Sequence, residues 1–372
     1  MDEKLELYLN TCENKFPVGG AIVISIDHKM IYAKGFGKAR LGEDAIDFTP
    51  DTMTSIQSVS KSFAAASIMK LVEDNLVALD APLVDYLPYF QTTEKTISDQ
   101  ITVKQLLSHT SGLPGDLVIG NLITPNRHEF TAFNALKSQF GITDDDLKRI
   151  HTPEDVTKYL RNVKLENEPG TSWRYCTDGY IIVADLFEKV SGLRWNDYIE
   201  NDFLPKLNLH RTTLNAEKVM QDHNSASFYT NERDVLVNRI QPDAQLDVFR
   251  TPFPINPIGA PMGFIYSTAK DLTTYLSAYM KEGTFLTRES FEAMTEPIGK
   301  IDDEGSYGLG WATWINNGHQ VVEHGGGFIG ISCNISMVPT RGISIVVLSN
   351  HDKTPAYQIC KDIVDILLAD AS

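Results

Sequence analysis

Apolar and β-branched residues run together at 21–26 and again at 30–34, and the polar triplet Asp27-His28-Lys29 between them predicts a hairpin turn. Ahead of this hairpin, residues 2–15 carry Leu5, Leu7, Leu9 and Cys12, which predicts a surface helix with one apolar side. The period then changes. Over 53–75 a short polar lead is followed by Phe63, Ala66, Ile68, Met69, Leu71 and Val72 at helical spacing. Pro82 and Pro88 prevent a long helix directly after it. A short helix is predicted over 101–107, stopped by Ser111-Gly112 and Pro114, and a polar, mostly helical stretch runs on to about residue 162. Further helices are predicted over 180–191 and roughly 269–281. Between them, 214–262 has little periodicity and many Pro, Asn and Asp residues, as expected of long loops that line a site.

The C-terminal part has a different character. WATWIN, HQVVEHG, GISCNISMV and GISIVVLSN are four strand-like segments with turns between them, and PAYQICKDIVDILLAD is an amphipathic helix. Strands at both ends and helices between predict an α/β fold of the α+β kind. One antiparallel sheet is built from both termini and flanked by helices, with a mostly helical lobe inserted. The expected division is a discontinuous sheet domain, 1–90 with 295–372, and a helical lobe with site loops, 91–294. No internal repeat or low-complexity tract interrupts this pattern.

Composition narrows the function. The chain has 372 residues and a net charge of −16, so neither nucleic acid nor an anionic membrane is expected as a partner. Cys12, Cys176, Cys333 and Cys360 lie apart without a C-x-x-C pair, so neither zinc nor a disulfide framework is indicated. The acidic start lacks the basic-then-apolar order of a secretory signal, and no run of about eighteen apolar residues exists, so a cytoplasmic location is expected. Nothing in the pattern sets the oligomeric state.

Candidate chemistry begins at Ser58 and Lys61. Three residues apart near a helix start, a hydroxyl and an amine come within reach of each other. Free backbone N–H groups and the helix dipole there favour an alkoxide over a protonated amine. S-x-x-K occurs three times, as Ser58/Lys61, Ser67/Lys70 and Ser267/Lys270. The second pair lies further along the same helix, and Ser267 is expected to cap the helix that follows it. Gly325-x-Gly327-x-x-Gly330 matches the dinucleotide fingerprint in letters, but a strand follows it rather than a helix. The run His324-Gly325-Gly326-Gly327 lacks the G-x-S-x-G elbow of lipases. There is no H-E-x-x-H, so no metal and no organic cofactor is expected.

Context selects Ser58. SVSK, then ITVKQLLSHTSGLP, EPGTSWRY, MGFIYSTAKDL, YGLGW and HGGG follow one another over nearly the whole chain. This set resembles the serine β-lactamase and penicillin-binding-protein superfamily, in its class C-like branch of esterases, D-amino-acid peptidases and transesterases. The resemblance implies the β-lactamase-like fold, Ser58 as the acylated nucleophile, Lys61 as its proton acceptor and Tyr175 as the relay to the leaving group. The family's Y-x-N motif has Thr177 at its third position here, and a hydroxyl cannot span lysine and substrate as an amide does. Its K-T-G motif is replaced by His324-Gly325-Gly326, which removes the fixed charge that attracts a carboxylate. The Gly327 N–H, with that of Ser58, would form the oxyanion hole. The implied function is a serine hydrolase working through an acyl-enzyme on small uncharged acyl substrates. Small esters, amides and D-peptides are the implied partners. A D-amino-acid peptidase or weak β-lactamase is the alternative enzyme, and a sensor acylated once without turnover is the alternative of another kind.

Overall fold

Asp27 and His28 both take left-handed backbone, φ 49° and 64°. This turn folds β1 (Gly19–Ile26) onto β2 (Lys29–Arg40), in the geometry that matches strand twist. Lys29 already pairs with Ile26, so the turn is one residue shorter than the polar triplet suggested, and β2 runs well past Lys34. The computed structural model describes residues 3–369 apart from 116, 140, 282 and 283. Asp2 and Asp370, at the ends of the predicted terminal helices, lie outside the described residues.

β3 (Ile46–Asp47) flanks β2, and the C-terminal chain supplies β4 (Gly299–Lys300), β5 (Gly305–Tyr307), β6 (Ala312–Asn316), β7 (His319–Phe328), β8 (Ile331–Val338) and β9 (Ile343–Ser349). The order is β3-β2-β1-β9-β8-β7-β6-β5-β4, antiparallel throughout. β1 lies directly beside β9, from Gly20 opposite Ser349 to Ile26 opposite Ile343, so the two ends of the chain meet inside one sheet. β4 and β5 were not predicted. Each is too short to show a period.

Alternation along the central strands sorts side chains to two faces. Ile22, Ile24, Ile345 and Val347 pack with Ile359, Ile363 and Val364 of α6 (Ala356–Ala369) and with Leu5 and Leu9 of α1 (Glu3–Thr11). Leu7, placed on the same apolar side by the sequence, is 70% exposed, because positions two apart on a helix point roughly 200° from each other. Ala21, Val23, Val346 and Leu348 face the other way, into a core that continues through α2 (Ser60–Glu73) to the helices of the inserted region.

α2 is the helix everything on this face packs around, buried from Ser60 through Met69. Its Phe63 stacks on Tyr275 of α5 (Ala269–Met280) at 4.0 Å, and Ser67 accepts a hydrogen bond from the Trp195 indole. α3 (Val103–Leu107) starts from a capping box of Thr102 and Gln105, and α4 (Gly179–Ser191) lies against α2. Thr268 caps α5 by accepting from the Asp271 N–H. Ser267, expected in that role, instead pairs as a strand residue with Thr54 and shares a hydrogen bond with Thr212. The cap needs a side chain one residue later than the spacing suggested. The 214–262 loop joins the mostly helical stretch that precedes it: Phe130 bridges Leu236, and the Val237 N–H donates to Glu129 O.

Candidate active site

Ser58 belongs to a single 3-10 turn, Gln57–Val59, that leads into α2 rather than to α2 itself. Gln57 before it holds φ 46°, a costly conformation for a side chain of this size. Its neighbours hold it there. The Gln57 amide donates to Ser55 Oγ at 2.9 Å, and the Ile56 N–H donates to Ile265 O at 3.1 Å. Between buried Gln57 and Val59, Ser58 alone stays partly exposed.

Lys61, in the first turn of α2, is fully buried. Its Nζ lies 3.0 Å from Ser58 Oγ and donates to Met262 O at 2.6 Å. The rings of Tyr175 and Tyr180 stand 5.0 and 5.7 Å from the amine. Burial pushes its pKa down to about 7, against the opposing pull of Cys176 and Asp178. About half of it is therefore neutral at pH 7, where a free lysine is nearly all charged. Tyr175 enters from the irregular segment before α4 and is hydrogen-bonded to Ser58, while burial raises its pKa above the ordinary value and keeps the phenol protonated. One hydroxyl thus sits between an amine and a phenol.

β7 supplies the facing wall. β6 pairs with it only as far as Glu323, whereas β8 accompanies it to Phe328, so on the β6 side 324–328 has no strand partner among the described residues. Gly326 presses against the turn that carries Ser58. A Cβ there would stand 2.4 Å from Ile56 O and 2.5 Å from Cys333 Sγ, so only glycine lets the strand come this close. Gly325 and Gly327 are exposed, and a Cβ at Gly327 would meet nothing within 4 Å.

The β-lactamase family model matches residues 12–369. The chain belongs to the β-lactamase family. It is 22% identical over 335 residues to Protein flp of Staphylococcus aureus (strain COL), covering 89% of this chain. This chain spans only 59% of that relative's length. Its fold is similar to that of the octameric penicillin-binding protein homologue from Pyrococcus abyssi, with TM-score 0.80 and 27% identity over 99% of this chain and 78% of that one. It is also similar to a D-stereospecific amidohydrolase from Streptomyces sp., with TM-score 0.73 and 21% identity over 98% of both chains.

The other S-x-x-K pairs in this β-lactamase-family chain are engaged elsewhere. Ser67 donates to Ala64 O and Lys70 pairs with Glu73, while Lys270 pairs with Asp51. His324 is 4% exposed. Its Nδ1–H donates to Gly325 O at 2.7 Å, so Nε2 accepts from the Tyr307 hydroxyl at 2.8 Å. Burial, then the neighbouring Lys61, pushes its pKa down to about 3. Both ring nitrogens are therefore spent within the protein. Thr177 is partly exposed at the entry to α4, and its hydroxyl makes no hydrogen bond among the described residues.

Two residues of this cluster carried no sequence-based role. Asp178 is 1% exposed, and its carboxylate accepts the Gly120 N–H at 3.1 and 3.2 Å. Burial raises its pKa to about 7, with Lys61 pulling the other way. His109, in the HTSGLP motif, packs its ring 4.3 Å from that of Tyr175. His109 lies within HTSGLP and Asp178 directly after the Tyr175–Thr177 motif, but the letters do not say which way the side chains turn. All four cysteines are free and buried. Among the described residues no group of three or more His, Cys, Asp or Glu could hold a metal ion, and no helix is long and apolar enough to cross a membrane.

Proposed function

We propose that the protein is a serine hydrolase that forms an acyl-enzyme on Ser58. The observation that carries this reading is Lys61: a fully buried amine with a pKa of about 7, 3.0 Å from a partly exposed serine hydroxyl. In its neutral form its lone pair takes the Ser58 proton, while an N–H still bonds Met262 O. Ser58 Oγ then attacks the carbonyl carbon, and the N–H groups of Ser58 and Gly327 hold the oxyanion. Tyr175, protonated and bonded to Ser58, gives its proton to the leaving group and regains one from Lys61, which holds the proton taken from Ser58. Water or another acceptor then releases the acyl group by the reverse route.

The proposed substrates are small uncharged esters. His324 stands where a charged residue would hold a carboxylate, but it is buried and neutral. Thr177, in place of the motif amide, also speaks for esters over amides. The same machinery could be turned on amides of D-configured substrates, as the name of the Streptomyces neighbour suggests, or slowly on β-lactams. The test is steady-state turnover of p-nitrophenyl butyrate beside a D-amino-acid anilide and benzylpenicillin. Sustained ester turnover exceeding that of the other two supports the proposal. A single stoichiometric burst identifies an acylated sensor, and a preference for the anilide or the penicillin overturns the choice of substrate.

A further inference from the structure

Around Tyr175 the backbone bonds are arranged in an unusual way. The Arg174 N–H donates to the His109 carbonyl at 2.8 Å, and the Cys176 N–H donates to His109 Nδ1 at 3.2 Å. N–H groups two residues apart on one side of a chain need two acceptors, which a neighbouring strand normally supplies from two alternate carbonyls. His109 cannot continue as a strand, because its φ of 59° turns the chain into Thr110-Ser111-Gly112. Its imidazole takes the place of the missing carbonyl. One residue therefore fixes the main chain immediately before and immediately after Tyr175.

We propose that His109 is the positioning residue for Tyr175, holding the phenol at Ser58 by clamping the backbone on both sides of it. This rests on the reading of Tyr175 as the proton relay. The ring of His109 also packs on those of Tyr175 at 4.3 Å and Tyr307 at 4.8 Å, and Tyr307 is the partner of His324. The clamp thus ties the tyrosine segment to β7, the strand that carries Gly327. Because Nδ1 accepts an N–H, the imidazole is neutral. Burial, Lys61 and His324 all hold its pKa well below 6.5, so the clamp does not open as pH falls to 6.

The expected signature is loss of kcat with KM little changed, since the clamp acts on the relay and not on substrate contacts. His109→Gly removes the imidazole while suiting the left-handed backbone. A shift of the tyrosine by about 1 Å costs on the order of 100-fold, so a kcat loss of about 10- to 100-fold is expected. Asparagine tolerates positive φ and carries Oδ1 where histidine carries Nδ1, so His109→Asn should recover most of that loss. In a Tyr175→Phe background, His109→Gly should cost less than about two-fold more, because the relay it positions is gone.

The experiment measures kcat and KM for p-nitrophenyl butyrate in the two His109 variants, Tyr175→Phe and the His109→Gly/Tyr175→Phe double variant, with folding checked by near-ultraviolet circular dichroism. Losses that multiply in the double variant, or a folded His109→Asn as slow as the glycine variant, would overturn the clamp while leaving the relay intact. A wild-type rate in Tyr175→Phe would overturn the relay and the clamp together. Should His109→Gly not fold, His109→Asn decides alone. A folded asparagine variant within about three-fold of wild type supports the clamp, and a larger loss refutes it.

Discussion

Lys61 is the residue whose protonation governs the proposed chemistry. With its pKa lowered to about 7 by burial, kcat/KM for a neutral ester should rise through pH 7 and then level. Tyr175, raised above its ordinary value, brings no fall below pH 10. The Asp178 carboxylate raises the pKa of Lys61, so Asp178→Asn should move the rising limb to lower pH, by about half a unit to one unit. A limb that stays in place, or moves to higher pH, would show that Asp178 does not act on Lys61. Stability carries the opposite face of the same burial. Between about pH 7 and the unfolded value of 10.5 the folded chain binds fewer protons than the unfolded one, so Lys61 makes stability rise with pH across that window. At this scale the meeting of Ser58, Lys61 and Tyr175 was legible from spacing and the family resemblance. Burial was not. An exposed histidine has a pKa near 6.5, whereas burial of His324, and then the nearby Lys61, bring it to about 3.

At the scale of elements, the site depends on how closely β7 meets the turn at Ser58. Gly326 and Gly327 look alike in sequence and differ sharply in surroundings. Gly326→Ala would drive a methyl group into Ile56 O and Cys333 Sγ. It should lower the melting temperature by several degrees, corresponding to about 1–3 kcal/mol of overpacking, and cut ester turnover at least ten-fold. Gly327→Ala meets nothing within 4 Å and should melt with the wild type. Equal melting temperatures for all three proteins would contradict the close approach. Strong periods made most elements legible, α5 and β7 to β9 among them. What escaped had no period to show, such as β4, or depended on one hydroxyl's direction, as with the cap at Thr268 rather than Ser267.

For the whole molecule, the sheet separates two jobs. Its outer face, covered by α1 and α6, holds the ends of the chain together, and its inner face carries α2 and the Ser58 turn. Ile363 lies fully buried on the outer side, so Ile363→Ala should destabilise by about 2–5 kcal/mol through the cavity it leaves. The denaturation midpoint should fall while kcat stays near wild type. A large kcat loss in the folded variant would show that the two faces are coupled. The sheet built from both termini was readable because long apolar runs stand at both ends of the sequence. The joining of the helical stretch before residue 162 to the 214–262 loop was not, since it runs through main-chain bonds between Glu129, Phe130, Leu236 and Val237, which side-chain pattern does not encode.

Whether Ser58 carries the acyl group can be read from mass spectrometry of the intact protein during reaction with p-nitrophenyl butyrate. A transient increase equal to one butyryl group is expected, located on the peptide that contains Ser58. The adduct should be absent from Ser58→Ala, together with a loss of turnover by several powers of ten. An adduct on another residue, or turnover in Ser58→Ala close to wild type, would show that Ser58 is not the carrier.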